Sequence, residues 1–379
     1  MLSLDAEQEL LVSSVAEIAE REFSDRAFDW TGEAPWENVQ RLAEQGFLGV
    51  NFPEEYGGGG MTELDAILVM EAVGRVCPDT AKLLYNQQLV APRAIELFGT
   101  GAAKERYLPP VLAGEDNVAI GISEPEAGSD VGSMGTRIEE EEGSELVLNG
   151  EKTWVSHVEH SSAALVWTRF PEGLGSVVIE FDWDGVEIQR HYENMAGHHQ
   201  THFVMDDVIV PAENVVTRGP EGFKNQLRAL NWERLGSATL ANAIASCALE
   251  KALDYAEQRT QFDQPIGDFQ GIEWKLADAA TDLEASRALT HRAAMRAHEQ
   301  GRVPDRRDAS MAKLRSGEMV ERVVSEALQV HGANGYQRGH PLEYLYRLAR
   351  ARRLAAGTDE IQKNQIAASL KQEGLRDLA

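Results

Sequence analysis

The sequence predicts a multidomain α and β protein: a helical N-terminal domain, a small antiparallel β domain in the middle, and a C-terminal domain of long helices. Three observations predict it. The chain has 379 residues, more than one hydrophobic core usually serves. Apolar side chains recur at helical spacing before about residue 115 and again after Pro211. Between those stretches lie short β-branched runs separated by glycine turns. The boundaries fall at 1–115, 116–216 and 217–379.

In the first domain Leu11, Val15 and Ile18 share one helix face, and the run Gly57 to Gly60 and the pair Pro109-Pro110 punctuate the helices. In the second, Leu146-Val147-Leu148, Ala163 to Thr168 and Val177-Val178-Ile179 read as strands, with turns at Gly143-Ser144 and Gly173 to Gly175. The acidic run Glu139 to Glu142 reads as a solvated hairpin end. In the third, Leu240, Ile244, Cys247 and Ala248 form one stripe, and Ile272, Leu276, Ala279 and Leu283 another. Long amphipathic helices with few breakers suggest a bundle.

Composition narrows the function. With 62 acidic against 36 basic residues the formal charge is −26, so nucleic acid and anionic membranes are poor partners. The apolar fraction of 43% supplies a sizeable core, which argues against disorder. Cys77 and Cys247, far apart in sequence, make no disulfide framework and fit a reducing compartment. The N-terminus lacks a basic and then apolar leader, and no apolar run reaches membrane-spanning length, so a cytoplasmic location is the expectation.

The chemistry concentrates in Gly121 to Asp130 (GISEPEAGSD) and Lys152 to Ser156 (KTWVS). The first run cannot be regular helix, and leaves backbone N–H groups and serine hydroxyls free for a polar ligand. Trp154 offers a flat face to a conjugated ring, with the Ser156 hydroxyl beside it. With Arg106 to Glu115, Asp207 to Asn214, Arg259 to Gln270, Gln329 to Tyr336 and Ala356 to Gln362, these segments resemble the acyl-CoA dehydrogenase family, in order and almost end to end.

That resemblance implies a middle β-barrel-like domain, a C-terminal four-helix bundle, and FAD. It places Ile120, Ile122, Ser123, Gly128, Ser129, Trp154, Val155 and Ser156 against the flavin and its phosphates. Arg259, Gln261, Phe262, Phe269, Gln270, Gln329, Gly332 and Ala333 are implied to hold the rest of FAD across a subunit contact, with Thr358 and Glu360 also near the cofactor. A homo-oligomer, a tetramer in the family, follows from that. Two positions depart from the pattern: Asp263 stands where relatives commonly have Gly, and Ala333 where a second Gly is usual. A nicotinamide-binding glycine motif after a strand is absent.

Oxidation of a saturated acyl thioester needs a base for the α-proton, and a desolvated carboxylate suits that task. Many relatives carry the Glu directly before the Gly-Thr near the C-terminus; here that position is Ala356. Isovaleryl-CoA and long-chain relatives instead supply it from a helix, directly before an Arg, which corresponds to Glu233-Arg234. Gly236 and Ser237 share the face of Glu233 and are expected to leave room for substrate. Taken as residues alone, Glu233 and Arg234 read as solvated helix charges sooner than as a catalytic pair. The backbone N–H of Ala356 is the implied donor to the thioester oxygen, with Ser129, Asn231, Arg234 and Gly357 lining the substrate site.

The resemblance thus implies conversion of an acyl-CoA to a trans-2-enoyl-CoA, with an electron-transferring flavoprotein as acceptor. Rival readings are an acyl-CoA oxidase or enoyl-CoA reductase on the same scaffold, or a non-catalytic acyl-CoA-binding protein. The histidines His157, His160, His191, His198, His199 and His202 lack the convergent ligand pattern of a zinc site, and no metal is expected.

Overall fold

The computed structural model describes residues 4–29, 34–140, 145–299 and 301–376. The chain divides into two compact units. One, the helical unit, comprises Met1–Thr31, Thr62–Lys82 and Glu233–Ala379; the other, the sheet unit, comprises Gly32–Met61 and Leu83–Trp232. The first helices are α1 (Ala6–Ile18), α2 (Trp36–Glu44), α3 (Glu63–Val76), α4 (Pro78–Leu89), α5 (Ala91–Phe98) and α6 (Gly101–Leu112). Capping boxes start α1 and α3, where the side chains of Asp5 and Thr62 each accept a backbone N–H three residues on and their own backbone N–H donates to the side chain of that residue.

Eight strands follow: β1 (Val118–Gly121), β2 (Arg137–Glu140), β3 (Leu146–Ser156), β4 (Ala163–Phe170), β5 (Gly173–Glu180), β6 (Val186–Glu193), β7 (His199–Val210) and β8 (Val215–Thr217). They form one sheet in the order β6-β7-β3-β2-β4-β5-β8, with β1 also beside β4. The three runs read as strands lie in β3, β4 and β5. Two expectations are corrected. The sheet is mixed, since β1 and β2 each run parallel to β4, and it is not a closed barrel. Parallel neighbours need a crossover rather than a tight turn, and the long segment after β1 is where the candidate site lies. Secondly, Pro109 and Pro110 do not interrupt α6; they sit in its last turns, where their carbonyls accept from Ala113, Glu115 and Asp116. Of the acidic run, Glu139 and Glu140 are exposed on β2, whereas Glu141, Glu142 and the turn Gly143-Ser144 lie outside the described residues.

The sheet buries apolar side chains on both faces. Ile138, Leu148, Val166, Ile179 and Phe203 pack on one side; Leu165 and Val178 meet Leu108 and Val111 of α6 on the other. Burial on both faces explains why β4 reads as a near-continuous apolar run instead of alternating.

The remaining elements are α7 (Gly222–Gln258), a hairpin of β9 (Thr260–Gln261) and β10 (Gln264–Pro265), α8 (Gln270–Glu299), α9 (Arg306–His331), α10 (Pro341–Arg350) and α11 (Asp359–Glu373). The stripe Leu240, Ile244, Cys247 and Ala248 is buried in the helical unit. Of the second stripe Ala279 and Leu283 are buried, while Ile272 and Leu276 stay half-exposed. Close helix approach is set by Gly74, where a Cβ would lie 2.6 Å from that of Ala243 and 2.7 Å from that of Ala81. A buried polar network also ties these helices: Asn242 donates to Glu71 (2.9 Å) and accepts from Ser286 (2.6 Å).

Candidate active site

In the sheet unit, the segment after β1 is anchored from beneath by an ion pair. The buried Glu124 carboxylate accepts from the backbone of Gly135 (2.6 Å) and Thr136 (3.0 Å) and from Lys152 Nζ (2.7 Å). Lys152, fully buried on β3, also donates to Ile122 O at 3.2 Å. Burial raises the Glu124 carboxyl, but the bonds from Lys152, Thr136 and Gly135 outweigh it and hold the group below the usual carboxylate range. The Lys152 amine is pulled down to about 8 by burial, with Glu124 opposing. With that staple made, Gly128, Ser129 and Asp130 are exposed, and Ile120, Ile122 and Ser123 are half-exposed. Thr153 N–H bonds Ser123 O at 2.9 Å, which joins the two motifs directly.

Trp154 sits where the register between β3 and β7 shifts. Its φ of 62° is a left-handed conformation that bulky residues avoid. Half of its surface (52%) is exposed, its ring centroid lies 4.7 Å from that of Tyr192, and Gln200 donates to its carbonyl at 3.2 Å. The bulge therefore turns a large flat ring outward instead of into the core. Val155 is buried beside it and Ser156 is half-exposed.

In the helical unit, the segments Arg259–Gln270 and Gln329–Tyr336 are brought together by Tyr255, which stacks on His331 at 4.2 Å and accepts from Asn334 Nδ2 at 2.7 Å. The Gln261–Gln264 pair closes a two-residue turn in which Phe262 (φ 52°) and Asp263 (φ 63°) are both left-handed. A glycine at the second position would be free of strain; Asp is among the side chains that tolerate it. Phe262 is 89% exposed and meets the Phe269 ring edge-on at 6.0 Å. Arg259, Gln261, Asp263, Gln270, Gln329, Gly332 and Ala333 are exposed as well.

Glu233 and Arg234 lie on α7, and they are not a solvated pair: Arg234 is 3% exposed and the Glu233 Oε2 oxygen is buried. Burial draws the Arg234 guanidinium down to about 10, with the Glu233 charge opposing. Gly236 and Ser237 on the Glu233 face are themselves buried, as is Asn231. Ala356, in the turn before α11, is buried and left-handed (φ 58°), followed by Gly357 (φ 87°). Thr358 caps α11 by accepting from Ile361 N–H, and Glu360 is exposed in its first turn. The N–H of Ala356 has no hydrogen-bond partner among the described residues.

Three family profiles cover this chain in order: acyl-CoA dehydrogenase N-terminal domain over residues 5–115, middle domain over 119–208 and C-terminal domain over 220–371. The chain belongs to the acyl-CoA dehydrogenase family. It is 33% identical over 378 residues to the probable acyl-CoA dehydrogenase YngJ of Bacillus subtilis, covering 97% of this chain and 98% of that protein. The acryloyl-CoA reductase (NADH) of Anaerotignum propionicum is 34% identical over 375 residues, covering 96% and 94%. Butyryl-CoA dehydrogenase from Megasphaera elsdenii superposes with a TM-score of 0.92 at 29% identity, covering 98% of this chain and 100% of that one.

This acyl-CoA dehydrogenase family member is an oxidoreductase acting on CH–CH groups, and FAD is its cofactor. The residues present fit that group: an outward-held indole for a planar ring system, and a stapled loop of exposed hydroxyls and backbone for its polar parts. Three contributors escaped sequence reasoning. Lys152 and Glu124 sit inside the motifs but were given no role; the signal was a lysine within a strand that also buries Thr153 and Val155. Gln362, fully buried behind the Ala356 turn, carried no such signal. The histidines take separate partners: His191 meets Thr201, His202 meets Glu151, and His160 stacks on Trp36. Among the described residues no group of three potential ligands converges on a metal position, and no helix is long and apolar enough to cross a membrane.

Proposed function

We propose that the chain oxidises a saturated acyl-CoA to the trans-2-enoyl-CoA, with Glu233 as the base that takes the α-proton. The observation that carries this reading is the burial of Arg234 and of one Glu233 carboxylate oxygen, because a helix-surface pair would be hydrated on both sides. A partly desolvated carboxylate is a stronger base toward a weakly acidic C–H. Bound FAD supplies the acceptor for the β-hydride. Ala356, with no carboxylate to give, retains a backbone N–H that donates to the thioester oxygen as negative charge builds there. Trp154 covers one side of the flavin, while Ser123, Ser129 and Ser156 donate to its polar edge and phosphates. Arg234 steadies the Glu233 charge from within the same helix.

The base placement follows the isovaleryl-CoA and long-chain pattern, so branched or long acyl groups are the proposed substrates. The exposed patch around Phe262 and Arg259 is proposed to meet FAD of a neighbouring copy, which makes the working species a homo-oligomer, with a tetramer as the proposed form. An electron-transferring flavoprotein is the proposed acceptor. A panel of acyl-CoAs added anaerobically to purified flavoprotein tests the reading: one or more bleaches the flavin, and none does so after Glu233→Gln. The similarity to acryloyl-CoA reductase keeps a second direction in play, in which an enoyl-CoA is reduced at the expense of NADH. Consumption of NADH on addition of an enoyl-CoA, without flavin bleaching by saturated thioesters, would favour that direction.

A further inference from the structure

We propose that Gln362 is a positioning residue for the reaction: its buried side-chain amide holds the Ala356–Gly357 turn so that the Ala356 N–H presents to the thioester oxygen. The proposal rests on the reading of Ala356 as the carbonyl donor. Gln362 lies in the first turns of α11, where side chains tilt back toward the helix N-terminus. It is fully buried, and Nε2 donates to Ala356 O at 3.1 Å and to Gly357 O at 2.9 Å. Both amide hydrogens are thereby committed to consecutive carbonyls of one turn.

The consequence is an asymmetry of charge. Peptide dipoles in a tight left-handed turn can present either their C=O or their N–H ends to a neighbouring site. Here Gln362 takes the C=O ends of Ala356 and Gly357, while the N–H of Ala356 bonds to no backbone carbonyl among the described residues. On the preceding side, Ala355 N–H is tied to Ala351 O at 3.0 Å, so the peptide that carries the Ala356 N–H lies between two hydrogen-bonded neighbours. The turn also packs closely on its neighbours. A Cβ at Gly357 would lie 2.9 Å from Gln362 Nε2, and one at Gly317 of α9 would lie 3.3 Å from Arg352 O. Loss of the amide frees both carbonyls to rotate toward the developing oxyanion, where they repel rather than stabilise it.

The test compares wild type, Gln362→Leu and Gln362→Glu as purified holoproteins. Acetoacetyl-CoA serves as an enolisable probe; its enolate, bound against oxidised flavin, is followed by the long-wavelength charge-transfer absorbance as a function of pH. For Gln362→Leu the proposal expects kcat on the best bleaching acyl-CoA to fall about 30- to 300-fold with KM within about threefold. The pH midpoint of the enolate band rises by about 1 to 2, and the FAD content is unchanged. Gln362→Glu regains activity as pH is lowered, because only the protonated carboxyl donates. A merely structural role would lower the melting temperature and leave the enolate midpoint in place, and that result overturns the proposal. Should Gln362→Leu fail to fold, the pH response of Gln362→Glu decides, and a flat response overturns the proposal. If wild type is bleached by no acyl-CoA, the dehydrogenase reading falls first; if wild type bleaches and the variants match it, only the role of Gln362 is lost.

Discussion

Replacing Lys152 by Met removes the amine beneath the candidate flavin loop while keeping most of the volume of a fully buried side chain. Glu124 then keeps its two backbone donors, Gly135 and Thr136, but loses its counter-charge at 2.7 Å. Removing one member of a buried ion pair destabilises by about 3 to 5 kcal/mol, because the other charge stays buried. For a unit the size of the sheet unit, that is a fall in melting temperature of roughly 6 to 20 °C. The pH dependence has a definite sign. The folded Glu124 value lies below its unfolded value, so its contribution is present above about pH 4.3 and is lost as pH falls through the folded value. Lys152 is also depressed, to about 8, so between pH 8 and about 10.4 the unfolded chain holds more protons and stability rises with pH. Thermal unfolding at about pH 3.5, 7 and 9.5, with flavin content measured alongside, checks both limbs. The variant loses the Lys152 share of the alkaline rise, while the share from Lys313, another buried amine drawn down to about 8, remains. The double variant Glu124→Gln/Lys152→Met recovers much of the loss. A single Lys152→Met variant that melts within about 2 °C of wild type and retains its FAD would refute the reasoning.

Cys77 and Cys247 are both buried, with thiols pushed up by burial to about 11 and about 12, so neither reacts with iodoacetamide in native protein at pH 8 and both react after unfolding, as mass spectrometry of the alkylated chain would record. Asp263→Gly relieves a left-handed residue at the hairpin tip and raises stability by up to about 1 kcal/mol in urea unfolding; a loss of stability would contradict the strain assigned there.

Local pattern carried much of the fold. Val15, Ile18, Leu240, Ile244 and Cys247 are buried where helical spacing puts them, and the β-branched runs became β3, β4 and β5. What pattern could not carry was pairing. The parallel contacts of β1 and β2 with β4 depend on a crossover whose path no local spacing encodes, so an antiparallel barrel was expected and a mixed sheet found. The prolines of α6 misled for a related reason: they fall in the last turns, where their own carbonyls are met by N–H groups just beyond the helix, a pairing that local spacing does not encode. In the candidate site, residues with distinctive chemistry stood out, such as Trp154, Ser129 and the vacancy at Ala356. Their supports did not. Glu124 and Lys152 pair across 28 residues, a distance over which no local spacing marks partners, and Gln362 bonds backbone carbonyls, which leaves no complementary residue type in the sequence.

The central claim is that the carboxylate on α7 does the proton removal that the turn before α11 cannot. Its most direct measurement is the anaerobic rate of flavin bleaching by branched and long acyl-CoAs in wild type and in Glu233→Gln, with bound FAD quantified in each. The account predicts rapid bleaching in wild type, a fall of at least about 100-fold in the variant, and equal FAD content. Equal bleaching rates in the two proteins would contradict it.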